Sequence, residues 1–167
     1  YGAAEAAQAI ALRINGMDAN QAYISALLHD ISRTEERRLG RFHGILGYEK
    51  LLKRDEKAAR AALLHMFSWN KLPSYEKCSE MFFGNKGDYD FIAGFINNTD
   101  VTDMDLLIQL ADGLANKDGF VTLEQRARDY SERHGVPIKK EMIDPYYKLK
   151  AYFDIKCGGD VYNLFMK

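Results

Sequence analysis

Three of the four histidines in this 167-residue sequence, His29, His43 and His65, fall in its first half, each at a place where an imidazole could do chemistry. His29 is followed by Asp30 in the string Ala26-Leu27-Leu28-His29-Asp30-Ile31-Ser32-Arg33. Neighbouring positions on a helix lie about 100° apart around the axis, so an imidazole and a carboxylate there can converge on one cation or on two adjacent ones. His43 sits in Phe42-His43-Gly44-Ile45-Leu46-Gly47. A helical glycine costs about 1 kcal/mol relative to alanine, so two of them ask for a reason, and room for a metal or substrate beside the imidazole is one. His65 ends the apolar run Ala61-Ala62-Leu63-Leu64, near a helix C-terminus whose partial negative charge favours a cation. Asp112 closes the strongly apolar Leu106-Leu107-Ile108-Gln109-Leu110-Ala111. Burying an unpaired carboxylate is costly, and a metal ion offsets that cost. Taken singly, each residue also has an ordinary structural reading as a surface pair, a hydrogen-bonded core histidine or a cap. The order His-Asp, His, His, Asp is more specific than any one member.

The elements that would position these residues are helices. Apolar residues recur at helical spacing through most of the chain, and strand-type alternation never persists, so the expected class is all-α, a single-domain helical bundle. Helices are expected over Tyr1 to Asn15, from an Asp18 or Asn20 cap to an end near His29 to Ser32, over Phe42 to Lys53 and over Asp55 to Met66. A loop at Ser68 to Ser74 leads to weaker helices at Tyr75 to Phe83 and Tyr89 to Asn97, separated by a turn at Gly84 to Gly87. A helix capped by Asp100 or Thr102 carries Asp112, another spans Thr122 to His134, and a last one opens at Asp144-Pro145 and closes at Gly158. The expected organisation is one domain over 1–167, with a core at about 1–115 and a helical extension at about 116–167.

Composition narrows the function classes. The chain is 47% hydrophobic and 28% charged, which fits a globular protein rather than a disordered one. With 23 Lys plus Arg against 24 Asp plus Glu, the formal charge is −1, and the electrostatic pull of a nucleic-acid binder is missing. No run of apolar residues suits a membrane-spanning helix and no secretory signal is evident, so a cytoplasmic location with no membrane partner is expected. Cys78 and Cys157 make neither a disulfide framework nor a thiolate cage. Asn116-Lys117-Asp118-Gly119 has the middle of an EF-hand loop without its opening and closing carboxylates, and reads as a turn. No phosphate-loop, serine-hydrolase or dinucleotide fingerprint occurs.

The ordered His-Asp, His, His and Asp resemble the HD-domain superfamily of metal-dependent phosphohydrolases, and the apolar-His-Asp-Ile-small-basic string is similar to that family's signature. The resemblance covers most of the chain. It implies metal ligation by His29, Asp30, His43, His65 and Asp112, with Asp30 bridging two ions in the two-metal branch. His29 and Asp112 would then serve one ion, and His43 and His65 the other. The cofactors implied are one or two divalent transition-metal ions, and imidazole and carboxylate ligands suit Fe, Mn, Zn or Ni alike. A small phosphorylated substrate would be attacked by a metal-activated water, with Asp30 at the catalytic centre. Arg33, Arg41 and Lys71 would hold phosphate, although Arg33 to Arg41 also reads as a solvated charged run mixed with Glu35 and Glu36. The resemblance also admits a di-iron oxygenase or a non-catalytic ligand-binding module. The family's first histidine normally lies nearly thirty residues before the His-Asp pair, where Tyr1 stands here, so that ligand is expected either just upstream or to be lacking. The signature's Gly and Lys are Ser32 and Arg33 in this sequence.

Overall fold

A computed structural model describes residues 1–137 and 139–165. Its described residues form ten α-helices, three short 3-10 turns and one small hairpin, so the chain is all-α. α1 (Gly2–Ala11) is alanine-rich, and Ala4, Ala6, Ala7 and Ala11 are buried, which lets α2 (Ala19–Leu28) approach closely. Asp18 caps α2 by accepting from the backbone N–H groups of Asn20 and Gln21. His29 and Asp30 follow on the turn that ends it. The charged stretch that follows holds a short helix, α3 (Glu36–Leu39), closed by Gly40 with φ of 60°.

α4 (His43–Leu51) and α5 (Glu56–Leu64) pack as an antiparallel pair through small residues. A methyl group on Gly44 would lie 2.8 Å from the Ala62 carbonyl oxygen, and one on Gly47 would lie 3.0 Å from the Ala62 Cβ. The space those glycines leave is therefore occupied by α5, and not by a metal or substrate as the sequence suggested. Asp55 caps α5, and Phe42, Phe67 and Phe82 stack together behind the pair with centroids 5.3–6.5 Å apart. Each ring is at most 2% exposed, and burying one contributes about 2–3 kcal/mol. Phe42 precedes His43, and Phe67 lies two residues after His65, so this cluster anchors the segments that carry both imidazoles.

The segment expected as one helix over Tyr75 to Phe83 breaks into α6 (Tyr75–Cys78) and a 3-10 turn that ends at Phe83 with φ of 54°. α7 (Lys86–Asn97) starts three residues earlier than the sequence suggested, because the Asn85 side chain accepts from the N–H of Asp88 and caps it. α8 (Asp103–Gly113) opens with a reciprocal capping box between Thr102 and Asp105 and runs through the main core. The expected turn at Asn116 to Gly119 is the tip of a hairpin, β1 (Ala115–Asn116) pairing antiparallel with β2 (Gly119–Phe120). α9 (Leu123–His134) has a second capping box, from Thr122 to Gln125, and ends on Gly135 at φ 67°.

α10 (Lys140–Cys157) corrects the expectation that it opens at Asp144-Pro145. Proline lacks the N–H that would bond four residues back, so at its sixth position Pro145 costs one bond, to Glu141. The helix persists across it because Ile143, Tyr146, Leu149 and Phe153 continue one buried face against α1 and α8. Among the described residues Cys78 and Cys157 are free, and no helix is long and apolar enough to cross a membrane.

Candidate metal centre

The ends of four helices meet at one point. His29 and Asp30 come from the end of α2, His43 from the start of α4, His65 from the end of α5, and Asp112 from the last turn of α8. In all three imidazoles the Nδ1 faces outward and the Nε2 inward. His29 Nδ1 donates to the Ala26 carbonyl at 2.5 Å, and His65 Nδ1 donates to the Ala62 carbonyl at 2.9 Å. His43 Nδ1 lies 2.6 Å from Glu36 Oε2. An ionised carboxylate only accepts, so this nitrogen carries the proton and donates. Arg33 Nη1, 2.9 Å from the same nitrogen, shares the Glu36 oxygen at 3.4 Å.

The inward atoms are then all acceptors. His43 Nε2 and His65 Nε2 lie 3.3 Å apart, and both face Asp30 Oδ1, at 3.1 and 3.4 Å. His29 Nε2 is 3.6 Å from Asp30 Oδ2 and 3.6 Å from Asp112 Oδ1. Lone pairs this close repel unless a cation or a proton lies among them. His65 does not readily supply the proton: burial pushes its pKa down, and the neighbouring His29 and His43 add to the effect against Asp30 and Asp112. For His29, burial opposes charge but Asp112 and Asp30 outweigh it, and its pKa is raised. Asp30 is held well below the usual carboxylate range, since His43 and His65 overcome the opposing effect of burial. Two nitrogens each about 2.1 Å from one ion stand about 3.0–3.4 Å apart. The donor set thus fits a divalent metal, and the ligand atoms of His29, Asp30 and His65 all lie within 4.8 Å of one another.

The five residues singled out as metal ligands are therefore brought together, with Arg33 beside them, and Arg41 is not. Arg33 borders the cleft beside Asp30. Arg41 is forked onto Glu49 at 2.9 and 3.0 Å and reaches buried Asp88 at 3.1 Å, tying the start of α4 to α7. Lys71 borders a neighbouring, larger cavity of about 1200 Å³ rather than the one over the centre.

Several residues at the site escaped the sequence reading. Glu36 orients His43, yet in sequence it is one charge in a mixed run. Buried Gln109 donates to the Leu64 carbonyl at the end of α5, donates to Asn70 and accepts from the N–H of Trp69. It thereby fixes the turn that carries His65, where Trp69 and Asn70 adopt left-handed φ of 59° and 50°. A lone amide inside Leu106–Ala111 was the available signal. Over the centre lies a cleft of about 390 Å³, whose outer wall is α9 and the start of α10. Arg126 Nη2 lies 3.7 Å from Asp112 Oδ1, and Tyr146, its hydroxyl pKa pushed up to about 12 by burial and by Asp112, lines the same cleft. His134, which the sequence offered only as a helix end, is on this wall, its ring 4.3 Å from that of Tyr130.

With the ligand geometry in place, the comparison with known families is decisive: the family model for the HD domain matches residues 1–117. The chain belongs to the HD domain family. No curated protein and no solved structure matches it. HD domains are for the most part metal-dependent phosphohydrolases, and membership implies divalent metal binding, for which His29, Asp30 and His65 form a group able to hold an ion. α9 and α10 lie beyond the matched residues, although Leu149 and Phe153 complete the same core as α1 and α8.

Proposed function

We propose that this HD domain is a phosphohydrolase that cleaves a phosphate ester or anhydride of a nucleotide or small metabolite. The observation that carries the reading is a cluster of acceptor atoms facing a cleft bordered by Arg33 and Arg126. Asp30 supports a two-ion arrangement, since its Oδ2 faces His29, which also faces Asp112, while its Oδ1 faces His43 and His65. Bound divalent ions would supply a water that is deprotonated near neutral pH and would neutralise charge on the phosphoryl oxygens. The chain's own residues do the rest. Ala26, Ala62 and Glu36 lock the three imidazole rings, so little reorganisation is needed when substrate arrives. Arg33 and Arg126 offer planar forks to the phosphate at opposite sides of the centre. Tyr146, Leu123 and Ile143 narrow the cleft and exclude bulk water.

The test is metal content of protein prepared without chelator, joined to a screen of phosphomonoesters, phosphodiesters and anhydrides. Hydrolysis that disappears with chelator, returns with one divalent metal and is lost in Asp30→Asn and His65→Ala supports the proposal. Full activity in Asp30→Ala overturns it. Substrate cleavage that consumes dioxygen and stops under anaerobic conditions points to the di-iron oxygenase, and metal binding without any turnover points to a ligand-binding module.

A further inference from the structure

The wall of the cleft carries more positive charge than one reacting phosphate requires. On α9, Leu123, Arg126, Ala127, Tyr130, Arg133 and His134 all border the cleft, a spacing of three and four that places them on one face. Arg126 stands at the inner end, 3.7 Å from Asp112. Arg133 lies seven residues on, which is about 10 Å further along the helix axis. Its Nε is held by the Asp129 carbonyl at 3.3 Å, and its guanidinium makes no ion pair among the described residues. Tyr130 lies between the two arginines, and Met142 and Ile143 of α10 border the same stretch. The sequence of environments outward from the centre is therefore cation, uncharged surface, cation.

We infer that the cleft takes a substrate with two phosphates separated by an uncharged connector, the distal phosphate being held by Arg133. The inference rests on the phosphohydrolase reading for the position of the reacting group. A pyrophosphate, whose two phosphorus atoms are about 3 Å apart, would place both charges at the centre and leave Arg133 unused. A connector the length of a sugar or short carbon chain spans the apolar stretch and brings the second dianion to the outer arginine, where a charge-assisted bidentate contact forms. Tyr130, its ring in tilted contact with that of His134, gives the connector a flat surface to lie on.

Alkyl phosphonates test this without turnover, because their carbon–phosphorus bonds resist hydrolysis. Calorimetric titration of metal-loaded protein would compare hexane-1,6-bisphosphonate, hexylphosphonate and methylenebisphosphonate. The expected result is that the six-carbon bisphosphonate binds about tenfold more tightly than either other compound. Arg133→Ala should bring the three within about threefold of one another, with Arg133→Lys between. Arg128, exposed and on the opposite side of α9, is the control for general charge, and Arg128→Ala should keep the tenfold preference. Equal or tighter binding of methylenebisphosphonate, or the same loss of preference in Arg128→Ala as in Arg133→Ala, overturns the inference. Since Arg133 is exposed, its variants should fold, which a thermal melt checks. Absence of any hydrolysis alongside an intact bisphosphonate preference refutes the phosphohydrolase reading and leaves the distal subsite standing; hydrolysis without the preference does the reverse.

Discussion

A methyl group at position 44 should disturb the metal centre from behind. In Gly44→Ala the new Cβ would lie 2.8 Å from the Ala62 carbonyl oxygen and would overlap the Phe42 ring. The first is backbone of α5, and the second is fully buried against Phe67 and Phe82, so neither yields cheaply. Overpacking of this kind costs about 1–3 kcal/mol, while replacing a helical glycine by alanine returns about 1 kcal/mol. The net loss should be up to about 2 kcal/mol, which for a chain of this size lowers Tm by up to about 8 °C. A larger effect is expected on metal binding. Relief requires α4 to move away from α5, and the 3.3 Å separation of the His43 and His65 Nε2 atoms widens with it. Metal affinity should fall about tenfold, within the range seen when a supporting contact is lost. Urea denaturation and competition with a chromogenic chelator measure the two effects. Gly94→Ala in α7, where a Cβ meets nothing within 4 Å, is the matched control and should gain up to about 1 kcal/mol with no change in metal affinity. If Gly44→Ala proves as stable as the parent and binds metal as tightly, the argument that helix packing sets the imidazole spacing fails.

Three further outcomes are expected. Glu36→Ala removes the acceptor that fixes His43, and chelator competition should show metal affinity about 10–100-fold weaker with the fold intact. Ser32 Oγ is buried with no hydrogen-bond partner among the described residues, so Ser32→Ala should be neutral or stabilise the protein by up to about 1–2 kcal/mol in urea denaturation. Burial opposes ionisation of Asp103, but Lys156 and Tyr152 outweigh it and hold the carboxyl below the ordinary range. The stability that Asp103 contributes in joining α8 to α10 is thus present above the pKa of the unfolded carboxyl, near 4, and is lost as pH falls through the lowered folded value. Asp103→Asn should weaken the dependence of Tm on pH in that acid window.

What could be read from the sequence follows from range. The boundaries of α8 and α9 depend on Thr102 and Thr122, whose partners lie three residues away, and the string offered Thr102 beside Asp100 as a cap and Thr122 as a helix start. The ligand order was visible because His29, Asp30, His43, His65 and Asp112 are rare residue types in apolar surroundings. Glu36 and Arg133 were not, since charged residues on short or exposed helices look alike until the fold shows what they face. Pro145 misled because its local preference for a helix start was overridden by the buried face of α10. The two glycines after His43 were correctly conspicuous but were assigned the wrong neighbour, as α5 is remote in sequence until Ala62 is brought against them.

The cleft has one wall inside the matched HD region and one outside it, and the two walls carry different duties. Changes in α9 at Tyr130, Arg133 or His134 touch no ligand and no residue of the buried phenylalanine cluster. New specificities could therefore be explored on this helix at little cost to folding or to the metal centre. In this molecule the capacity for evolutionary change is concentrated on one replaceable surface.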